Sequence, residues 1–268
     1  MIMLLGVKSV NKRERSELEV KRLAEMLEFD KIKRGDYDWL IGVDEVGRGP
    51  LAGPVVACAV VLPLNWNLPG INDSKKLSEK RRTELADIIK DKSEGIGLGF
   101  VNNKKIDRFN IRNATKMAMI IAVRRCIENL SGQIGDRVRS NSILKIEDKS
   151  KASVKNPSEL GRIRILIDGN MEISLDKLFG EGYELTQETV VQGDSKSLSV
   201  GAASIVAKVA RDEFMKEYAK LEPEYGFDKH KGYGTKAHYS AIESYGLSPI
   251  HRKSFLTKIL DKMEEKLI

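Results

Sequence analysis

The sequence predicts an α/β fold, a mixed central β-sheet flanked by helices and followed by a helical C-terminal part. Three observations point there. Short apolar runs at 39–46, 53–62, 95–101, 163–167 and 183–191 have the length and β-branched content of strands. Longer segments carry apolar residues at helical spacing, as Ala114, Met117, Ala118, Ile121, Ala122 and Cys126 do. The resulting order, β-β-(α)-β-α-β-β-α, lets the early strands pair as a meander and the later ones return to the same sheet.

Taken in order, residues 1–38 form an N-terminal helical arm. Its charge-dense stretch 11–34, with Leu18, Leu23, Met26, Leu27 and Ile32 interspersed, reads as one amphipathic helix or a helical hairpin. Gly35-Asp36-Tyr37-Asp38 ends it. The second strand, at 53–62, is valine-rich and almost wholly apolar, which suits a strand covered on both faces. Pro63 to Pro69 make a loop, and Ser78 caps a helix over 79–92. Gly95 to Val101 alternates small and large residues as a third strand would, and a long helix follows over 104–130. Residues 131–161 carry Ser, Asn, Lys, Arg and Asp with few large apolar groups. They read as a solvated polar insertion, not a second domain. The fourth strand ends in Asp168-Gly169 and the fifth near Gly193-Asp194. One helix is expected from about 196 to 220, its Gly201-Ala202-Ala203-Ser204 patch allowing close approach to another element. The core thus spans 39–220, and 221–268 supplies loop and helices packed on it.

The chain has 268 residues, 41% hydrophobic and 32% charged, enough apolar material for a packed core. A net charge of +7 favours polyanionic partners without establishing them. Cys58 and Cys126 lie far apart in apolar segments, so buried free thiols and a reducing, cytoplasmic setting are expected. The apolar start Met1 to Val7 is too short to span a membrane, and no other uninterrupted apolar run approaches about 18 residues.

Four carboxylates sit where strands end: Asp44, Glu45, Asp168 and Asp194. Open α/β sheets gather their sites at strand carboxyl ends. If the strands are neighbours, the acids share one small volume and need compensation to stay ionised together. Oxygen-only ligands select hard cations, here Mg²⁺ or Mn²⁺. Two such ions would clamp the attacking and leaving oxygens of a phosphoryl displacement. In a regular strand, however, Asp44 and Glu45 point to opposite faces. Either the strand kinks at Glu45, or Glu45 also uses its backbone carbonyl. Asp194 has a plainer reading as a helix N-cap, and Asp168 as a turn residue.

Gly47-Arg48-Gly49 lacks the closing Gly-Lys-Ser/Thr of a P-loop and the following helix of a dinucleotide fingerprint. The glycines instead let a ligand approach the backbone. Exposed N–H and C=O groups there suit a test for a ribose 2′-hydroxyl, or else the segment is an ordinary tight turn with Arg48 in solvent. Asn72-Asp73-Ser74-Lys75 and Asp194-Ser195-Lys196-Ser197 offer hydroxyl and ammonium donors for phosphate, Ser74, Lys75 and Lys196 among them. Tyr233, held between Gly232 and Gly234 and flanked by lysines, suits stacking on a sugar or base. His230, His238 and His251 lack the carboxylate or cysteine spacing of a zinc site and read as structural.

Together these motifs resemble bacterial ribonuclease HII. The resemblance is carried by Asp44 through Pro54, Asn72-Asp73-Ser74-Lys75, Leu166-Ile167-Asp168-Gly169, Gly193 through Ser197, Gly201 through Asp212 and His230-Lys231-Gly232-Tyr233. It covers roughly residues 39–256, interrupted at 131–161. It implies the RNase H-like mixed sheet, with Asp44, Glu45, Asp168 and Asp194 as metal-binding catalytic acids using two Mg²⁺ or Mn²⁺ ions. It implies contacts of Gly47, Arg48 and Gly49 with the 2′-hydroxyl side of an RNA–DNA junction, and stacking of Tyr233 on the deoxyribose that follows. The implied activity is endonucleolytic hydrolysis of RNA in RNA/DNA hybrids and at single ribonucleotides in duplex DNA, leaving 3′-hydroxyl and 5′-phosphate ends. A monomer with no membrane partner is expected. The alternatives are a ribonuclease HIII-like, hybrid-only nuclease and a nonenzymatic basic nucleic-acid-binding protein.

Overall fold

In the computed structural model, which describes residues 12–66, 70–71, 77–130, 161–175, 184–257 and 259–261, the five apolar runs form one mixed sheet. The strands are β1 (Trp39–Val46), β2 (Val55–Val61), β3 (Gly95–Val101), β4 (Arg162–Asp168) and β5 (Glu184–Val190), in the order β3-β2-β1-β4-β5. β1, β2 and β3 pair antiparallel, whereas β1–β4 and β4–β5 pair parallel. This is the meander and return that the element order implies. Residues 131–160 of the expected insertion at 131–161, Ser74, Lys75 and the opening Met1 to Val7 lie outside the described residues.

The helices are α1 (Lys12–Arg34), α2 (Glu79–Lys92), α3 (Asn103–Leu130), α4 (Gly193–Lys196), α5 (Leu198–Ala219), α6 (Phe227–His230) and α7 (Lys236–Tyr245). α3 covers one face: Ala114, Ala118, Ala122 and Cys126 pack on Ile41, Val43, Val55, Ala57 and Ala59. α2 and α5 cover the other, where Leu85, Ile89, Ala202, Ala203 and Val206 meet Cys58 and Val60. β2 is therefore buried on both faces, as its continuous apolar run requires. Cys58 and Cys126 are buried free thiols. Among the described residues, no helix is long and apolar enough to cross a membrane.

One helix departs from expectation, while the helix expected at about 196–220 is α5, Leu198–Ala219, preceded by the separate short turn α4. Between them Ser197 is extended and its hydroxyl accepts from Val200 N–H at 3.2 Å, capping α5. The long helix over 104–130 begins at Asn103 and is interrupted at Asn110, where φ is +63° and the side-chain oxygen accepts from Asn113 N–H. Asparagine tolerates that conformation and substitutes its own hydrogen bond for a lost helical one.

α1 is one helix, not a hairpin, and it packs directly on the core. Met26 is buried with Leu23 and Leu27 against α5. One turn later, Asp30 Oδ2 accepts from Ser199 N–H and Ser199 Oγ–H, both at 2.8 Å, at the start of α5. The carboxylate acts as a second cap supplied from another helix. Replacing Asp30 by alanine is expected to cost about 2 kcal/mol, the upper end for a lost cap. Urea denaturation reads this directly, and an unchanged midpoint would show that the arm does not hold α5.

α5 lies unusually close to β1. A Cβ at Gly42 would collide with the Ser199–Val200 backbone, so only glycine admits this approach. That closeness delivers a polar side chain of α5, Ser204, to the acid at the end of β1.

Candidate active site

The parallel β1–β4 register runs through Gly42↔Leu166 and Val43↔Ile167. One step further sets Asp44 beside Asp168 at two adjacent strand ends, on the same face of the sheet. Asp44 is buried, bonded to Ser204, and its Oδ1 accepts from Glu45 N–H at 2.7 Å. Burial, then the nearby Glu45 and Asp168 carboxylates, push its carboxyl well above the usual range.

The strand does not kink at Glu45. β1 stays in register with β2 through Glu45↔Ala57 and Val46↔Val56, and the chain turns only at Gly47, where φ is +90°. The reason is that β2 continues past the last β4 partner and holds β1 straight. Glu45 is largely buried, and its Oε1 accepts from Arg48 Nη1 at 3.1 Å. Burial raises its carboxyl, Arg48 opposes that rise, and Asp168 adds to it.

Asp168 Oδ1 accepts from Gly193 N–H at 2.6 Å, tying the end of β4 to the start of α4. Asp194 follows at once, half-buried in the first turn of α4. It is not the N-cap: Gln192 occupies that position in α4, and Ser197 caps α5. Asp44, Glu45 and Asp168 thus interact electrostatically, and Asp194 stands one residue beyond the hydrogen bond on Asp168. Among the described residues, no three acids, histidines or cysteines stand as a ready-formed metal cage. The donor set nevertheless fits a hard divalent cation, because all its side-chain donors are carboxylate oxygens and the crowding that raises Asp44 and Glu45 is what such a charge relieves.

The turn after β1 is fastened from inside by two buried arginines that the sequence reading passed over. Arg252 donates from Nη2 to Gly47 O at 2.6 Å, from Nη1 to Arg48 O at 2.9 Å and from Nε to Gly53 O at 3.0 Å. Arg211, on α5, donates to Pro54 O, Ala52 O and Lys231 O at 3.0, 3.2 and 3.0 Å. Burial lowers both guanidiniums, Arg252 to about 9, which still leaves it charged at neutral pH. The available signal was Arg211 itself, a second charge closing the run Ile205-Val206-Ala207-Lys208-Val209-Ala210, apolar but for Lys208.

Tyr233 is 43% exposed, and its ring lies 5.8 Å from the Arg211 guanidinium carbon. Its carbonyl is held by a chain of imidazoles. Ser248 N–H donates to His251 Nδ1 at 2.8 Å, so the proton of His251 is on Nε2. That nitrogen meets His238 Nε2 at 2.9 Å, and His238 Nδ1 meets Tyr233 O at 2.9 Å. The bonds close only if both rings are neutral, each with one N–H. His230 stacks beside them at 4.4 Å from His238, its own nitrogens bonded to Gly232 N–H and Tyr225 O. The three histidines are structural and form no zinc set.

Burial, reinforced by neighbouring rings, pushes His238 and His251 down to about 4. Unfolded imidazoles take up protons below about 6.5. Between those values the unfolded chain binds more protons, so stability falls as pH falls from about 6.5 towards 4. Urea midpoints across that window are expected to decline in the parent protein and to decline less in His238→Gln. Equal slopes would refute the assignment.

Of the remaining predicted contacts, Lys196 is exposed, and its ammonium donates to Val191 O at 2.8 Å, leaving two further N–H donors by its chemistry. Arg48 and Gly49 are exposed at the tip of the turn. Ser74 and Lys75 fall outside the described residues.

A family model described as Ribonuclease HII matches residues 41–258. The chain is 43% identical over 249 residues to a ribonuclease HII of Clostridioides difficile strain 630, covering 93% of this chain and 80% of that one. It is 42% identical over 246 residues to a ribonuclease HII of Acetivibrio thermocellus, covering 91% and 80%. In fold it is similar to the crystal structure of ribonuclease H2 from Pyrococcus horikoshii OT3, with a TM-score of 0.54, 22% identity, and coverage of 81% of this chain and 93% of that one.

Proposed function

The chain belongs to the ribonuclease HII family, metal-dependent endoribonucleases of ribonuclease H type 2 that act on RNA/DNA hybrids, and from that premise we propose that it also incises duplex DNA at single ribonucleotides. We assign the work to Asp44, Glu45, Asp168 and Asp194, which would hold two Mg²⁺ or Mn²⁺ ions. When bound, the ions supply charge stabilisation for the attacking and leaving oxygens of the phosphodiester. Hydrolysis adds water to phosphorus and releases the 3′ oxygen, giving 3′-hydroxyl and 5′-phosphate ends.

The observation that carries the reading is the strand-end row of Asp44 and Asp168, set directly beside the turn at Gly47-Arg48-Gly49. Asp44 is oriented by Ser204, Asp168 by Gly193 N–H, and Glu45 by Arg48. Each bond fixes a carboxylate before substrate arrives. Gly47, Arg48 and Gly49 read the ribose 2′-hydroxyl, the group that separates RNA from DNA. Tyr233 stacks on the following deoxyribose, and Ser74, Lys75 and Lys196 hold phosphates, which orient a duplex without reading its sequence. We propose a monomer working in the cytoplasm. Membership of an enzyme family sets aside the nonenzymatic alternative.

The test is incubation of the purified protein with two duplexes, one bearing a single ribonucleotide and one an RNA/DNA hybrid, with and without Mg²⁺ or Mn²⁺. Both are expected to be cut, only with metal, leaving 3′-hydroxyl ends. Cleavage of the hybrid with the lone ribonucleotide left intact would instead support the hybrid-only, ribonuclease HIII-like reading.

A further inference from the structure

We infer that Arg252 is a positioning residue that aims two backbone N–H groups of the Gly47-Arg48-Gly49 turn outward, and so sets how strongly the protein prefers a duplex containing a ribose 2′-hydroxyl. The inference rests on the proposed role of that turn.

The argument is one of peptide geometry. None of the described peptide bonds is cis. In a trans peptide, the C=O and N–H of one plane point in opposite directions. Arg252 draws the carbonyls of Gly47 and Arg48 inward. The N–H groups of the same two planes belong to Arg48 and Gly49, and they therefore point away from the guanidinium. Arg252 is fully buried, whereas Arg48 and Gly49 are exposed. The two donors are thus turned to solvent at the site where a substrate would lie. The third bond, to Gly53 O, closes the far limb of the turn, and Arg252 N–H itself donates to Leu51 O at 2.8 Å.

The Gly47-Arg48-Gly49 stretch has no strand partner, so its peptide planes could otherwise rotate. One planar fork reaching both limbs removes that freedom, and lysine cannot reproduce it, since its donors radiate from a single nitrogen. Arg211 holds the same turn at Ala52 and Pro54 but touches neither the Gly47 nor the Arg48 carbonyl. The two arginines therefore separate stability from aim.

The experiment is metal-free fluorescence anisotropy of Arg252→Lys, Arg211→Lys and the parent on two duplexes, one all-DNA and one bearing a single ribonucleotide. The parent is expected to favour the ribonucleotide duplex. In Arg252→Lys that preference should fall about five- to tenfold, the value of one or two hydrogen bonds, with all-DNA affinity held within about twofold. Arg211→Lys should retain the preference even where its melting temperature drops. An unchanged preference in folded Arg252→Lys would overturn the inference. A parent with no preference would instead defeat the proposed reading of the turn. A second measurement needs no variant: in the ¹⁵N-labelled parent, the Arg48 and Gly49 amide signals should shift with the ribonucleotide duplex and not with DNA. Identical shifts with both would overturn the inference as well.

Discussion

Replacing Asp44 by asparagine is expected to reduce hydrolysis by at least about a thousandfold, the scale of losing a preorganised electrostatic group, while leaving the metal-free protein as stable as the parent or more so. Both effects come from one carboxylate. Asp44 is buried and pressed by Glu45 and Asp168, so its carboxyl is raised well above the usual range. Charged at neutral pH, it opposes folding. A group whose proton affinity is higher in the folded state contributes stability below its unfolded pKa and loses it as pH rises through the folded value. The parent should therefore gain stability relative to Asp44→Asn as pH falls from neutrality. Asparagine keeps an oxygen for Ser204 and Glu45 N–H and removes the charge. Thermal melts without divalent ions, from neutral to mildly acidic pH, would show the gap closing. Added Mg²⁺ should raise the melting temperature of the parent more than that of the variant, as binding to the folded state alone requires. A variant clearly less stable than the parent at neutral pH would refute the account.

Gly47→Ala carries the second large effect, expected as a stability loss of about 3 kcal/mol. Gly47 has φ of +90°, which costs an alanine about 1–2 kcal/mol. Its new Cβ would collide with Nε of Arg211 and lie 2.8 Å from Pro54 O, the partners of a buried hydrogen bond, and such overpacking adds about 1–3 kcal/mol. Gly49→Ala is the contrasting case. Nothing lies within 4 Å of a Cβ built there, so its stability should change by less than about 0.5 kcal/mol. If a substrate approaches that backbone, Gly49→Ala should still lose incision at a lone ribonucleotide. The pair, read by urea midpoint and by cleavage, separates a glycine needed by the fold from one needed by the ligand. Equal stability losses would undo the distinction.

Much of this was legible in the chain. Strand and helix ends fell where glycines, prolines and caps put them, Ser78 among them, because those signals act within a few residues. Asp44 and Asp168 were legible as strand-terminal acids, since an apolar run that stops at a carboxylate is itself local. Their shared row was not, because it depends on the parallel register of strands more than a hundred residues apart. The same distance hid Arg252, whose carbonyl partners lie about two hundred residues earlier in the chain. It hid Asp30 too, a charge on an exposed-looking helix that caps α5. The short turn α4, just before α5, was not legible for another reason: four residues are too few to show helical periodicity.

The central position of β1 has one further consequence. It is the middle strand of five, paired on both sides at Gly42 and Val43 and with β2 from Asp44 to Val46, so its backbone is held by ladder hydrogen bonds against local unfolding. The turn that follows has no strand ladder at Gly47-Arg48-Gly49, which side chains from remote segments hold, and only the isolated bridge Ala52↔His251 on its far limb. The border between the two falls within three residues, from Asp44 to Gly47. Chemistry is thereby assigned to residues carried on the sheet's backbone ladder, and inspection of the substrate to a neighbour held mainly by side chains.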